Sequence, residues 1–231
     1  MNLQLTDGST ALMIASQEGH LDIVTLLCER GAALDRQTTD GATALYAACG
    51  ENHLECARLL CDRGADVDLQ TAGGWSALLV ACEKGHRDIA TLLCQRGASL
   101  NLQMAGGATA LYLACHNNHL ECTRLLCDRG ADLNLQKEDG WSALMAACSK
   151  GHVSIAALLC ERDASLNLQN GKGETALYLA CSKNHLECAR LLCERGANTL
   201  LPCPNGTPFS FAMSTYGANS PITLLLEAYP H

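Results

Sequence analysis

The sequence predicts a mainly helical solenoid, a stack of short helix-turn-helix units. Three observations support this. One segment of 33 residues recurs six times without a change of spacing. Each copy holds two apolar stretches at helical spacing. A copy of this length is too short to bury its own apolar face, so it has to pack against its neighbours. Because stacking forms a long open surface and no closed pocket, the pattern favours binding over catalysis.

The helices follow from two recurring signals in each copy. A Thr or Ser precedes the first apolar stretch, where its hydroxyl can cap the first turn of a helix. A second apolar stretch with paired leucines follows a recurring histidine. We predict first helices near 10–18, 43–51, 76–84, 109–117, 142–150 and 175–183. We predict second helices near 20–30, 53–63, 86–96, 119–129, 152–162 and 185–195.

The second copy shows the motif most completely. It reads DGATALYAAC at 40–49, NHLECARLLC at 52–61 and RGADVD at 63–68. This pattern resembles the ankyrin repeat, which has a turn, a Thr-Pro-Leu-His-x-Ala helix, a Gly-His link, a Leu-Leu helix and a closing Gly-Ala-Asp. The resemblance covers residues 5–201. It implies an elongated, curved stack of helix pairs with projecting β-hairpin or turn fingers between successive pairs.

We expect one ankyrin repeat domain over the whole chain, 1–231. Its regular repeats are placed near 5–37, 38–70, 71–103, 104–136, 137–169 and 170–201. A degenerate capping repeat is expected at 202–231, because Gly206 keeps the 33-residue phase and a capping residue stands before a proline at Thr207 and at Ser220. Pro202–Asn205 replaces the finger there, and these residues are not expected to pair as a regular strand.

The amino-terminal end allows two interpretations. Asn2, Leu3 and Gln4 match the last residues of a finger, as in Asn101–Gln103. Ser16 stands where later copies have cysteine, which indicates a more polar outer helix. This end is therefore either a modest cap or the cut edge of a longer array.

A second period of about 66 residues overlies the first. Even copies share Tyr46, Tyr112 and Tyr178. Odd copies share Ile23, Ile89 and Ile155, where even copies have cysteine. A pair of repeats was therefore the duplicated unit.

Composition excludes several function classes. A net charge of −8 gives no electrostatic footprint for nucleic acid. No stretch is apolar enough to cross a membrane, and Met1–Gly8 lacks signal-peptide features. The fifteen cysteines fall in columns where one column alternates with isoleucine, as expected for buried free thiols. We therefore expect a monomer in a reducing compartment, cytoplasmic or nuclear.

Catalytic and metal motifs are not found in the sequence. His53 and Cys56 share a helix face, but no Cys-x-x-Cys occurs, so we predict no metal site and no cofactor. No phosphate loop or nucleophile elbow is present. A catalytic group would have to stand at a position that does not repeat, and the candidates there, such as His116, are expected to lack catalytic partners. The sequence thus predicts a protein that is not an enzyme.

The resemblance implies that a protein partner binds the concave face, formed by the finger tips and first helices. The variable residues mapped to that face are Thr39, Asp40, Glu51, Trp75, Glu83, Lys84, His116, Asn117, Glu138, Asp139, Trp141, Lys150, Lys172, Glu174 and Lys183. Residues 1–70 hold eleven acids against four arginines, a net −7, whereas the remainder is near neutral. The surface should therefore run from acidic at copies one and two to mixed or basic toward copy six.

Three further points remain open in the sequence. Trp75 and Trp141 either cover their own finger bases or act as separate binding anchors; at roughly 20 Å apart they would not share one aromatic cage. The resemblance implies that Asn134, with Leu126 and Asp132 before it, is a target for an asparaginyl hydroxylase. The alternatives to an adaptor scaffold are a structural or designed array without a dedicated ligand, and a fragment of a larger adaptor or targeting protein.

Overall fold

The computed structural model describes residues 4–230, so Asn2 and Leu3 lie outside the described residues. Fourteen helices in this range form seven pairs. The first helices of the pairs are α1 (Ala11–Gln17), α3 (Ala44–Gly50), α5 (Ala77–Lys84), α7 (Ala110–His116), α9 (Ala143–Lys150), α11 (Ala176–Ser182) and α13 (Pro208–Tyr216). The second helices are α2 (Leu21–Glu29), α4 (Leu54–Asp62), α6 (Arg87–Gln95), α8 (Leu120–Asp128), α10 (Val153–Glu161), α12 (Leu186–Glu194) and α14 (Pro221–Ala228). The predicted helices of the six regular copies are confirmed to within one residue.

The first helices begin at the predicted capping residues. Thr43, for example, has an extended backbone, and its hydroxyl accepts a hydrogen bond from the Tyr46 amide at 3.1 Å. The same arrangement occurs at the start of α1, α5, α7, α9, α11 and α13. Such a cap contributes about 1 kcal/mol to a helix, which offsets the absence of proline from the first position of the six regular copies.

The second helices of the regular copies begin at histidines that do not cap them. The ring of each later histidine instead donates, through Nε2, to a carbonyl 36 residues earlier, in the preceding repeat. His53 donates to Gln17 at 2.9 Å, and His119 donates to Glu83 at 2.8 Å. The equivalent bonds from His86, His152 and His185 are 3.3, 3.3 and 3.2 Å long. This histidine ladder joins each helix pair to the one before it.

The fingers are tight turns, and within the described residues no finger forms a paired β-hairpin. In the third copy the Thr71 amide donates to the Trp75 carbonyl at 2.9 Å, closing the turn on itself. The Ala72 amide donates to the Asp40 carbonyl of the preceding finger at 2.8 Å. The fingers therefore take the turn form of the predicted hairpin or turn, and the amide at each tip links one repeat to the one before it.

The core alternates between two kinds of repeat interface. The thiols of Cys82 and Cys122, on α5 and α8, are neighbours, and their interaction together with burial raises the pKa of Cys82. Cys148 and Cys188 repeat this pair two copies later. At the interface between copies two and three, the residue equivalent to Cys82 is Cys49 and the residue equivalent to Cys122 is Ile89. Ile89 is fully buried. The 66-residue period therefore reflects two alternating core contacts.

Ser16 does not lie on a polar outer surface as the sequence suggested. It is fully buried at the position of Cys82 and Cys148, and its hydroxyl has no hydrogen-bond partner within the described residues. The prediction was wrong because the end of α1 faces the second repeat and not solvent. A buried hydroxyl without a partner is destabilising.

The last helix pair packs on the sixth repeat. The Tyr216 hydroxyl donates to the carbonyls of Cys181 and Ser182 at 3.2 and 3.3 Å. The Phe211 ring packs on Tyr178 with 5.1 Å between ring centroids. The substituted finger closes a single bridge between Cys203 and Gly206 and does not continue as a strand. No helix in residues 4–230 has the length and apolar composition needed to span a bilayer.

Candidate functional site

The finger turns and first helices of neighbouring repeats enclose an open groove, here called the finger–helix groove. One cavity in it, of about 490 Å³, lies between the fingers of copies three to five and helix α7. Trp75, Glu83, Tyr112 and His116 line it, together with Glu138 and Asp139 of the next finger. Five predicted site residues therefore meet around one opening.

A second cavity adjoins the first along the groove. It has a volume of about 180 Å³ and is lined by Trp141, Ser149 and Lys150, together with Tyr112, His116 and Asp139. The last three residues also line the first cavity. The two tryptophans therefore occupy different cavities that share one wall, with the Tyr112 ring between them.

A third cavity of about 290 Å³ lies toward the amino-terminal end of the groove. Tyr46, Glu51, Glu83 and Lys84 are among its lining residues, and Glu83 belongs to the first cavity as well. The Lys84 ammonium donates to the Gly50 carbonyl at 2.8 Å and contacts Glu51 at 3.3 Å. Glu51 is thus partly neutralised, whereas no ion pair joins Glu83 to another described residue.

Charges around Tyr112 set the electrostatics of the centre. The Lys137 ammonium lies 5.0 Å from the centre of the Tyr112 ring and 3.2 Å from an Asp139 carboxylate oxygen. The His116 ring stacks on Tyr112 at 5.9 Å between centroids. Burial, followed by the charges of Lys150 and Lys137, lowers the pKa of His116, so its ring is neutral at pH 7. Helix α7 places His116 one turn from Tyr112, so its ring packs against another aromatic ring.

The remaining predicted residues line none of these three cavities. Thr39, Asp40, Asn117, Lys172 and Lys183 are exposed. The Asn117 amide group donates to the Glu83 carbonyl at 3.1 Å, which gives it a structural role between repeats. Glu174 is half-buried and accepts from Asn170 at 2.7 Å within its own finger.

Five residues that line the first cavity were missed by the sequence reasoning. They are Met104, Gly106, Tyr112, Leu113 and Lys137. Tyr112 was treated as part of the scaffold because tyrosine recurs in every even copy. Its position in the repeat could have indicated its place in the groove. Tyr112 lies on a first helix, three residues after the capping Thr109, and a residue there points toward the finger of the next copy.

Trp75 packs on the base of its own finger and also faces the groove. Its ring lies against Gly73 of its own finger, and its backbone is held by the Thr71 hydroxyl at 3.1 Å. Part of the ring remains accessible to solvent and lines the first cavity. The finger therefore fixes the orientation of an aromatic side chain that still faces the groove.

A metal site needs His, Cys, Asp or Glu side chains that converge on one point. Within residues 4–230, no three His, Cys, Asp or Glu side chains converge in an arrangement that could hold a metal ion. All fifteen cysteines are free thiols, ten of them buried. Burial raises the pKa of Cys160 and Cys193 to about 11, which keeps these thiols protonated near neutral pH.

Asn134 is exposed in its finger, but its side chain is engaged. Its Oδ1 accepts from the Ser165 amide at 2.8 Å, and its own amide donates to Asp132 at 2.9 Å. Equivalent bonds join every finger base to the next one, for example from Asp66 to Asp35 at 3.0 Å. Asn134 hydroxylation stays a prediction.

The fold and the groove define a helical repeat scaffold, and comparison with known proteins places it in a family. The family model described as "Ankyrin repeats (3 copies)" matches residues 1–71, 33–104, 64–137, 96–170, 129–203 and 163–229. The chain belongs to the ankyrin repeat family. The crystal structure of the human ASB11 ankyrin repeat domain superposes with a TM-score of 0.82 at 24% identity, covering 96% of this chain and 98% of that one, which shows a shared fold. No curated protein matches the sequence.

Ankyrin repeats are generally modules for protein–protein interaction, and nothing in the described residues indicates catalysis. A groove lined by aromatic rings and by charges of both signs is chemically suited to hold side chains of another polypeptide.

Proposed function

We propose that the chain is a non-enzymatic scaffold that binds a protein partner in the finger–helix groove. The observation that carries this proposal is the pair of adjoining cavities around Tyr112, with Trp75 on one side and Trp141 on the other. Binding energy in protein interfaces concentrates in a few aromatic and arginine side chains at the centre of the contact. Trp75 and Trp141 would act as such anchors.

Variation between copies supports the same surface. The capping residues, leucines and cysteines of the core recur in phase, whereas the groove positions differ from copy to copy. At one such position, Trp75 is replaced by Ala42 in copy two and by Ala108 in copy four. Variation at the groove with a uniform core is the arrangement expected when stacking and recognition use different faces.

Electrostatics give the partner an orientation. Residues 1–70 carry a net charge of −7, and Asp40 is exposed at a finger tip without an ion pair to another described residue. A basic segment of the partner would therefore lie toward copies one and two. Because Glu51 already contacts Lys84 at 3.3 Å, Asp40 should contribute more than Glu51 to attracting that segment.

The experiment begins with capture of the partner from source lysate, followed by binding measurements on variants. Trp75→Ala and Trp141→Ala should each weaken binding by about tenfold or more, as expected for central aromatic contacts. Arg124→Ala, on the exposed side of helix α8, is the matched control and should leave affinity unchanged. A partner that binds both tryptophan variants normally would exclude the groove and direct attention to the second helices.

A charge-reversal series tests the orientation separately. Asp40→Lys should slow association and reduce its dependence on salt, because steering acts mainly on the association rate. Glu55→Lys, on a second helix, provides a control with the same change in net charge. If both variants slow association equally, the effect belongs to net charge and the proposed orientation is wrong.

We further propose that the protein acts as a monomer in a reducing compartment, cytoplasmic or nuclear. The support is chemical: ten buried free thiols fill the core, and such thiols persist where the surroundings keep them reduced. Fluorescence microscopy of the tagged chain in cells of the source would test the compartment.

A further inference from the structure

Two lysines of this chain lie in the finger–helix groove, each against a carboxylate. The Lys84 ammonium is 3.3 Å from a carboxylate oxygen of Glu51, and the Lys137 ammonium is 3.2 Å from one of Asp139. Lys137 also lies 5.0 Å from the centre of the Tyr112 ring. The groove therefore holds a cation at a point where a carboxylate and an aromatic ring stand together.

Glu83 lies in the same groove without a cation. Its side chain is half-buried near the end of α5 and lines both the first and the third cavity. Within residues 4–230 its carboxylate accepts no hydrogen bond and forms no ion pair, although its backbone carbonyl accepts from Asn117 and His119. No other regular copy has an acid at this position, where the residues are Gln17, Gly50, His116, Ser149 and Ser182.

An aromatic ring lines the first cavity at the other end of α5. Trp75 stands two residues before this helix, and Glu83 is its seventh residue, so the two are roughly 12 Å apart along the helix axis. In the part of the chain that the structure describes, no cation lies over the Trp75 ring. A side chain that contacts both residues needs a long apolar stem and a charged end.

The first cavity is acidic. Glu83, Glu138 and Asp139 contribute three carboxylates to its lining, against the single ammonium of Lys137, which gives a formal net charge of −2. His116 adds no charge at pH 7, because burial, followed by the charges of nearby lysines, lowers its pKa. The cavity therefore attracts a cationic side chain and repels an anionic one.

We propose that the first cavity binds an arginine side chain of the protein partner. This inference rests on the proposed function, because it names the kind of side chain that the groove recognises. The stem of the arginine lies along the Trp75 ring, and its guanidinium donates to the Glu83 carboxylate. Lys137 remains on Tyr112 and Asp139, so it does not compete for Glu83.

Arginine suits this cavity better than lysine for two reasons. A guanidinium is more weakly hydrated than an ammonium, so its transfer into a cavity lined by Trp75 and Tyr112 costs less free energy. Its planar group also presents paired donors that match the two carboxylate oxygens of Glu83. A lysine would offer a single strongly hydrated charge.

The first test uses nuclear magnetic resonance with capped tripeptides. The chain has two tryptophans, so their indole N–H signals report the first and second cavities separately, and Trp75→Phe assigns them. Acetyl-Gly-Arg-Gly-amide should shift the Trp75 signal saturably and leave the Trp141 signal in place. The same peptide with citrulline, a neutral group of the same shape, should give no saturable shift, and the lysine peptide should bind more weakly.

A matched pair of variants tests the carboxylate. Glu83→Gln should reduce affinity for the arginine peptide by about tenfold, as expected when a hydrogen bond loses its charged acceptor. Glu121→Gln, at an exposed acid in the first turn of α8, makes the same change in net charge and should leave affinity unchanged. Both variants should unfold at the same temperature as the original chain, since Glu83→Gln keeps the carbonyl that accepts from His119.

Three results would each overturn the proposal: equal binding of the citrulline peptide, equal binding of the lysine peptide, or unchanged affinity in Glu83→Gln. The captured partner separates this inference from the proposed function. If Trp75→Ala weakens partner binding and Glu83→Gln does not, the groove is the binding surface and the arginine assignment is wrong. If neither variant affects the partner, both proposals fail. Loss of partner binding in both variants, together with selective binding of the arginine peptide, supports the proposal.

Discussion

The two ends of the stack differ in how they satisfy the histidine ladder and cover the apolar core. The last histidine of the ladder, His185, bonds to the carbonyl of Ser149. The carbonyl at the same position one repeat later is that of Ser182, and it accepts from the Tyr216 hydroxyl. At the carboxyl end, a tyrosine therefore replaces the next histidine. At the amino end, His20 bonds to no carbonyl of the described residues, and Ile23 is exposed. Within residues 4–230, the last helix pair provides both an apolar cover and partners for polar groups of the sixth repeat, whereas the first repeat has neither on its outer side.

The largest expected effect contrasts two isoleucines at opposite ends. Ile222 in α14 is 1% exposed, so Ile222→Ala should lower the free energy of unfolding by about 2–5 kcal/mol through lost burial and a residual cavity. Ile23→Ala should cost less than about 1 kcal/mol, because its side chain already contacts solvent. Urea denaturation of both variants measures the difference. Equal losses would show that the amino-terminal surface is covered in solution.

A smaller effect is expected at the buried hydroxyl of the first repeat. Ser16→Cys restores the thiol present at Cys82 and removes a buried donor without a partner, so it should raise the free energy of unfolding by about 1–3 kcal/mol. Cys82→Ser is the matched reverse change and should lower that free energy by a similar amount. A neutral Ser16→Cys would mean that the hydroxyl finds a partner in solution, and the difference between the repeats would then be smaller than the structure indicates.

The ladder itself is tested by removing one donor at each end. Tyr216→Phe deletes the hydroxyl that donates to Cys181 and Ser182, and should cost about 0.5–1.5 kcal/mol of unfolding free energy. His20→Ala removes a ring that makes no such bond and should have almost no effect. Thermal unfolding of both variants decides between them. If His20→Ala is the more damaging change, the amino-terminal ladder is occupied.

The smallest effect is expected at a turn inside the stack, away from both ends, where a substitution tests backbone strain. Asp163 has a φ of 60°, at a position where the other regular copies carry glycine with φ between 76° and 88°. Asp163→Gly should raise the free energy of unfolding by about 0.5–1 kcal/mol, since glycine adopts positive φ without a steric penalty. Gly130→Asp, at the equivalent turn one copy earlier, should lower it. A loss of stability in Asp163→Gly would show that the aspartate side chain stabilises its turn.

Much of the fold was predictable because its signals are local. Capping residues such as Thr43 act on amides three positions away, and apolar spacing acts within one or two turns. The candidate site was predictable only in part. Trp75 and Trp141 were found because they vary between copies, whereas Tyr112 was missed because it recurs in the even copies. Its place at the centre of the groove depends on Lys137, which lies on the finger of the next copy.

The sequence by itself determined the period, the helices, the caps and the family, because each depends on residues close together in the chain. Only the tertiary structure decided which side chains meet across repeats, such as His119 with the Glu83 carbonyl, 36 positions away. Ile23 and Ile89 stand in nearly the same local sequence, IVTLLC and IATLLC, yet one is exposed and the other is buried. The difference arises entirely from what is stacked against each of them, because burial is a property of the neighbouring repeat.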